Sequence, residues 1–191
     1  FDAFTSGILM REFGACYVAA VAGTEPQLPD LPIQYVDFAV WQHQLITDGL
    51  LDDQIEFWKA HLREGDLPVL DLPCDRPRPK LWSLNARCIT AKSAVTVEAL
   101  QLFCARVGTT VSQVLTFVWA LCLCRSSRQE EVMVGITYHG RDAPDTALLV
   151  GYFINMLPTR LSFPQTCSLS ESVKDVRRRM LECTQSAAIP F

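Results

Sequence analysis

The sequence has few of the residues and spacings that build metal and phosphate sites. It holds three histidines in 191 residues, no Cys-x-x-Cys pair, no glycine-rich phosphate loop and no Gly-x-Ser-x-Gly elbow. We therefore predict no metal site and none of those catalytic motifs. No apolar run reaches the roughly 18–20 residues that span a bilayer, so no membrane partner is expected. A net charge of -4 gives no electrostatic reason to expect nucleic acid.

The eight cysteines would suggest a disulfide framework in a short secreted chain. Here Cys16, Cys104, Cys122 and Cys124 lie inside apolar helical stretches. Free, buried thiols fit that placement better, because cysteine packs as a small apolar residue. Free thiols persist in a reducing compartment, so a cytoplasmic location is expected.

Apolar periodicity divides the chain at a proline-rich segment. Three helices are predicted before it: one carries Leu9, Phe13, Cys16, Tyr17 and Ala20 on one face, and two cover residues 38–45 and 51–62. Residues 66–80 contain four prolines and predict an extended linker. Strands and helices then alternate. Strands are predicted at 84–90, 132–137 and 151–161. One helix is predicted at 97–107, a second begins after the capping pair Thr110 and Gln113, and a third begins after the capping pair Ser168 and Glu171. The pattern predicts an α/β protein.

Four stretches, in order, resemble the condensation domains of nonribosomal peptide synthetases. They are Tyr35-Val-Asp37-Phe38-Ala39-Val40-Trp41, the proline-rich residues 70–79, residues 134–141 ending in His139-Gly140-Arg141, and residues 150–160 with Gly151-Tyr152-Phe153-Ile154-Asn155. The resemblance covers essentially the whole chain. It implies that the chain is an internal fragment of such a domain.

The resemblance also places the two ends of the chain. Asp2 matches the aspartate of the family's His-His-x-x-x-Asp-Gly motif, so the catalytic histidine is expected before residue 1. No catalytic residue is then expected in the fragment, which alone should be inactive. At the far end, residues 186–191 keep the Pro-Phe tail of a family motif but not its polar head.

The implied fold is α/β, a chloramphenicol-acetyltransferase-like two-lobe sandwich that is present only in part. Residues 1–75 would be the C-terminal part of the N-lobe, and residues 76–191 the first part of the C-lobe. The implied reaction is amide formation, in which an aminoacyl acceptor attacks a donor acyl thioester. Donor and acceptor carrier proteins would deliver both groups on phosphopantetheine arms, with adjacent synthetase domains as further partners and no cofactor bound directly.

The resemblance names a set of site residues. Asp2 and Arg141 are expected to form a salt bridge across the two lobes, directly below the active site, which the pair supports. In the alternative, Asp2 caps the first helix and Arg141 faces solvent. Asn155 and His139 are candidates for lining the substrate channel. Tyr35, Asp37 and Trp41 are the residues of the structural motif. We expect Trp41, like Trp58, to be a core aromatic. Asp37 is either an exposed helix residue or a buried hydrogen-bonding hub.

Two other functions stay open. An epimerisation domain shares the implied fold and has a His-Gly-Arg similar to residues 139–141, although the Tyr35 to Trp41 motif and Asn155 favour condensation. A non-catalytic scaffold that docks carrier proteins is the other. Histidines directly before residue 1 would favour catalysis over the scaffold.

Overall fold

Local capping signals set the ends of most elements. A computed structural model describes residues 1–63, 67–76, 88–164 and 166–191, with the backbone alone at residue 63. In chain order the helices and strands are α1 Ala3–Ala22, α2 Tyr35–Thr47, α3 Asp52–Arg63, α4 Val97–Val107, α5 Val111–Ser127, β1 Glu131–Tyr138, a 3-10 turn Pro144–Thr146, β2 Asn155–Ser162 and α6 Leu169–Gln185. Strands β1 and β2 pair in a two-stranded sheet. The predicted α/β content is confirmed.

The predicted caps are present where sequence signals were strongest. Thr110 accepts a hydrogen bond from the backbone N–H of Gln113, whose side chain accepts one from the Thr110 N–H. Gly108 ends α4 in the left-handed conformation with φ 66°. Of the strand predicted at 84–90, residues 84–87 lie outside the described residues, and residues 88–90 form no strand.

The chain divides into two compact units, and the division crosses both strands. The first unit comprises Phe1–Arg63, Gly135–Leu157 and Thr184–Phe191, and the second comprises Glu64–Val134 and Pro158–Cys183. The predicted lobe boundary at residues 75 and 76 is a different division. It stays a prediction, since the segment 77–87 lies outside the described residues.

The second unit contains α4, α5 and most of α6. Helix α6 buries Val173, Val176, Met180 and Cys183 at three- and four-residue spacing. Helix α5 buries Phe117, whose ring meets Phe163 edge-on at 5.8 Å.

No single helix of the described residues is long and apolar enough to cross a membrane. Helices α4 and α5 together have the length and apolar composition of a membrane span, but the chain bends by 94° at their junction.

The prediction of buried cysteines is wrong in part, and α1 buries other residues than those on its predicted apolar face. The α1 face that carries Leu9, Phe13 and Tyr17 is exposed, and the buried stripe is instead Thr5, Ile8 and Ala19. All eight cysteines are free as predicted, but those that are buried are Cys104, Cys124 and Cys183, and the other five are exposed.

Candidate functional site

A glycine turn after β1 places Arg141 inside the first unit. Gly140 has φ +64°, and a Cβ there would lie 2.0 Å from the carbonyl oxygen of Phe153. Both the left-handed backbone and the close approach therefore require glycine. The Arg141 Nη1 then donates to the carbonyls of Thr146 at 2.6 Å and Leu149 at 2.9 Å, which fixes the guanidinium.

Arg141 and Asp2 form the predicted ion pair. The Arg141 Nη2 lies 3.2 Å from Oδ1 and 3.3 Å from Oδ2 of Asp2. The two side chains are 4% and 0% exposed, so both charges have left water. Both residues belong to the first compact unit. The role of the pair in supporting an active site stays a prediction.

Asp2 also caps α1, as the alternative expected, but Arg141 is buried and does not face solvent as that alternative required. Its Oδ1 accepts from the backbone N–H of Thr5 at 2.8 Å, and its Oδ2 accepts from that of Phe153 at 3.2 Å. A carboxylate has enough lone pairs for both amides and a guanidinium. Burial would raise the pKa of Asp2, but the hydrogen bonds from Thr5, Phe153 and Arg141 outweigh it and lower the pKa from 3.8 to about 2. The carboxylate is therefore ionised and a poor proton acceptor.

The guanidinium is stabilised on its face as well as its edge. Its central carbon lies 4.0 Å from the ring centroid of Phe153, the distance of a strong cation–π contact. Within the described residues, the buried Nε of Arg141 has no hydrogen-bond partner. The charge is thus held by one carboxylate, two carbonyls, the Thr5 hydroxyl, which accepts from Nη2 at 3.2 Å, and an aromatic face.

Thr5 and Gly151 complete this network, and neither was predicted from the sequence. The buried Thr5 hydroxyl donates to the Gly151 carbonyl at 2.7 Å and accepts from the Gly151 N–H at 3.1 Å. A Cβ on Gly151 would lie 2.2 Å from the ring of Tyr35. A threonine in the first turn of an apolar helix was the available signal, but its partner is 146 residues away.

The motif residues of α2 have three different surroundings. The Tyr35 hydroxyl donates to the Tyr152 carbonyl at 2.9 Å, and its ring meets Phe153 edge-on at 5.1 Å. Asp37 is exposed and accepts from the backbone N–H of Gln34 at 2.8 Å, so it caps its own helix and is not a buried hub. Trp41 is 50% exposed, and the prediction of a core aromatic is wrong for it because its face of α2 borders a cavity.

Trp58 confirms the core prediction that fails for Trp41. It is 9% exposed, and its indole Nε1 donates to the Ser186 carbonyl at 2.7 Å. Burial of the ring is thus combined with a partner for its one polar atom.

The two channel-lining candidates differ in exposure and bonding. His139 is exposed, and its Nδ1 accepts from the backbone N–H of Arg141 at 3.0 Å. Its Nε2 lies 3.9 Å from Asp142. Asn155 is the first residue of β2 and uses its amide on backbone groups of residues 187–191 and of Met156. Channel lining by either residue stays a prediction.

A cavity of about 400 Å³ lies in the first unit beside the ion pair. Aromatic rings from α2 and from the segment before β2 form much of its wall. Asp142, which accepts from the Tyr138 hydroxyl at 2.5 Å, contributes a carboxylate to the lining. Burial and this carboxylate raise the pKa of Tyr138 to about 12. The apolar part of the lining includes Tyr35, Phe38, Trp41, Phe153, Ala188 and Phe191.

Comparison with known sequences gives one family for the entire chain. The model of the family described as "Condensation domain" matches residues 1–191. One of the linear gramicidin synthase proteins of Brevibacillus parabrevis is 36% identical over 191 residues, which are 100% of this chain and 4% of that protein. Phosphinothricin tripeptide synthetase PhsC of Streptomyces viridochromogenes is 34% identical, over 100% of this chain and 18% of that protein. The chain therefore spans a small part of these relatives.

Solved structures confirm the predicted fold class, the α/β chloramphenicol-acetyltransferase-like fold present in part. The X-domain from teicoplanin biosynthesis, also solved in complex with OxyB, is 27% identical with a TM-score of 0.80, over 100% of this chain and 43% of that one. The condensation domain of the polyketide synthase MokA has a TM-score of 0.77 at 18% identity, over 99% and 44%. The epimerization domain TycB3(E) of tyrocidine synthetase has 0.71 at 17%, over 98% and 46%. The last two likenesses show the fold alone.

Proposed function

This chain belongs to the condensation-domain family, and from that premise we propose that it is part of a domain that forms an amide bond between two carrier-bound thioesters. The acceptor amine nitrogen attacks the donor thioester carbon. The C–N bond forms, the C–S bond breaks, and the donor arm leaves as a thiol that takes up the amine proton. Both substrates arrive on phosphopantetheine arms of carrier proteins, and adjacent synthetase domains supply those carriers.

Family membership over residues 1–191 is the observation that carries this proposal. Of the relatives that match the whole chain, the one at 36% identity is named a linear gramicidin synthase and the one at 34% a phosphinothricin tripeptide synthetase. Asp2 is unsuited to the role of base, because its carboxylate is fully engaged and its pKa is about 2. The resemblance of Asp2 to the aspartate of the family's His-His-x-x-x-Asp-Gly motif implies a histidine before residue 1, and to that histidine we assign the role of catalytic base. We assign to this chain the holding of the reaction centre through Asp2 and Arg141. Positioning two bound thioesters can lower the barrier substantially without a powerful acid or base.

A non-catalytic docking scaffold is the second candidate function. It is favoured by the likeness to the teicoplanin X-domain, which was solved in complex with OxyB and is 27% identical in sequence to this chain. The epimerisation alternative has a structural neighbour that informs only about fold. His139, which carried that alternative, is exposed and engaged by the backbone of Arg141.

The test uses the intact synthetase with separately loaded donor and acceptor carrier proteins. We expect intact-protein mass spectrometry to show the acceptor carrier gaining the donor acyl mass while the donor carrier returns to the free thiol. Arg141→Ala should reduce the rate, and Asp37→Asn, on an exposed cap, should not. If both carriers stay loaded and no acyl group moves, amide formation is refuted. Retained binding of the carriers in that case would favour the scaffold.

A further inference from the structure

The segment 186–191, after α6, is held to the rest of the first unit through its main chain. Each of its described hydrogen bonds to α2, α3 and β2 joins a side chain of those elements to a backbone group of the segment. They run from Trp58 Nε1 to the Ser186 carbonyl (2.7 Å), from Asn155 Nδ2 to the carbonyls of Ala187 (2.9 Å) and Ile189 (2.6 Å), from Gln42 Nε2 to the Ala188 carbonyl (3.4 Å), from the Ala188 N–H to Gln54 Oε1 (3.2 Å), and from the Phe191 N–H to Asn155 Oδ1 (3.0 Å).

Asn155 is the centre of this attachment. Its two amide hydrogens go to two carbonyls of the segment, and its oxygen accepts from the N–H groups of Phe191 and Met156. The amide thus uses its full set of donors and acceptors. An aspartate of the same shape would keep the acceptors but turn a carboxylate toward two carbonyl oxygens.

Backbone attachment leaves the side chains of the segment available for another purpose. Ala187, Ala188, Pro190 and Phe191 line the cavity of about 400 Å³. Ala187 is buried, so packing fixes its size, but the hydrogen bonds do not involve the Ala188 side chain, whose size can change while the segment stays in place. Ala188 is exposed, so a larger residue there extends toward the cavity without entering the packed core.

We infer that Asn155 is a positioning residue for the wall formed by residues 186–191, and that Ala188 limits the size of the group that the cavity accepts. The group is the side chain of an aminoacyl thioester substrate, so this inference rests on the proposed function for its ligand class. Aromatic rings of Tyr35, Phe38 and Trp41 also line the cavity and provide apolar surface. A small residue at position 188 leaves room for a large apolar side chain against them.

The first test measures size selectivity by binding, independently of turnover. Alanyl-, leucyl- and phenylalanyl-pantetheine amides would be titrated into the full-length protein and into Ala188→Leu by calorimetry. We expect the variant to weaken binding of the phenylalanyl compound about tenfold or more, with the alanyl compound within about twofold. An unchanged ratio of the two dissociation constants overturns the role of Ala188, as does a wild-type protein that binds none of the three.

The second test separates positioning from general stability with a pair of amide-to-acid substitutions. Asn155→Asp removes both donors, whereas Gln54→Glu keeps the oxygen that accepts from the Ala188 N–H. Hydrogen exchange of the full-length protein should become faster in the peptide covering 186–191 for Asn155→Asp and stay unchanged for Gln54→Glu, with peptides from α1 unaffected in both. The selectivity among the three pantetheine amides should also shrink in Asn155→Asp alone.

Two outcomes of the second test would overturn the positioning role: unchanged exchange in the 186–191 peptide, or equal effects of the two substitutions. If Asn155→Asp does not fold, Ala188→Leu still decides the size prediction, because its side chain is exposed. A protein that binds the amides with the expected selectivity but forms no amide bond would refute the proposed reaction and leave this inference standing.

Discussion

Replacing Asp2 by asparagine tests whether the buried ion pair holds the first unit together. The substitution keeps the shape and an acceptor for the Thr5 N–H, but it removes the charge opposite Arg141. Leaving one partner of a buried pair uncompensated costs about 3–5 kcal/mol. The lowered pKa gives a separate figure: a fall from 3.8 to about 2 corresponds to about 2 kcal/mol of stabilisation at neutral pH.

Urea unfolding of the complete domain that contains this chain, followed by tryptophan fluorescence, measures the loss. Asp37→Asn is the matched control, because Asp37 also accepts a backbone N–H at a helix start but is exposed. We expect Asp2→Asn to lower the free energy of unfolding by about 2–5 kcal/mol, the range between the figure from the pKa and that for an uncompensated buried charge. Asp37→Asn should lower it by about 1 kcal/mol or less. A loss below about 1 kcal/mol for Asp2→Asn would refute the reasoning.

The difference in unfolding free energy between wild type and Asp2→Asn should also depend on pH, which provides an independent check. The folded-state pKa of Asp2 is lowered, so its stabilising contribution is fully present above pH 3.8 and is lost as the pH falls toward about 2. The difference in unfolding free energy between wild type and Asp2→Asn should therefore be constant from pH 5 to 7 and shrink below pH 3.8. A difference that grows on acidification would contradict the assigned direction.

The remaining predictions concern glycine and tryptophan positions. Gly140→Ala should destabilise the domain by more than about 2 kcal/mol, because it combines φ +64° with a Cβ 2.0 Å from the Phe153 carbonyl. Gly14→Ala, in open space inside α1, should instead stabilise the domain by about 0.5–1 kcal/mol. Thermal melting of both variants measures this, and melting temperatures that shift in the same direction would contradict the prediction. Trp58→Phe should cost about 1–2 kcal/mol in urea unfolding by leaving the Ser186 carbonyl without its donor, and an unchanged midpoint would mean that this bond is not formed in solution.

Features governed by local chemistry were predictable from the sequence. The reciprocal pairs Thr110 with Gln113 and Ser168 with Glu171 are present, because a cap needs only residues three positions apart. Gly108 ends its helix for the same local reason. The Asp2 to Arg141 contact spans 139 residues, and the family resemblance, not periodicity, predicted it.

Features governed by distant neighbours were not predictable from the sequence. Trp41 and Trp58 both follow helical spacing, yet only Trp58 is buried, because it meets the segment after α6 while Trp41 borders the cavity. Thr5 looked like an ordinary helix residue, although it is fully buried against the backbone of Gly151. Such placements depend on which loop arrives from elsewhere in the chain, and spacing carries no information about that.

The ion pair and the Asn155 attachment share a physical principle that bears on variation within the family. In both, a polar side chain holds main-chain groups: Arg141 and Asp2 bind backbone atoms of Thr146, Leu149 and Phe153, and Asn155 binds those of residues 187–191. Every residue type supplies the same carbonyl, so a wall held in this way does not depend on its own side chains. The polar head that the family resemblance expected at residues 186–188 can therefore be absent here without loss of the wall. Ser186 and Ala187 are buried, but Ala188 is exposed and lines the cavity, so its side chain is free to adapt to the group in the cavity.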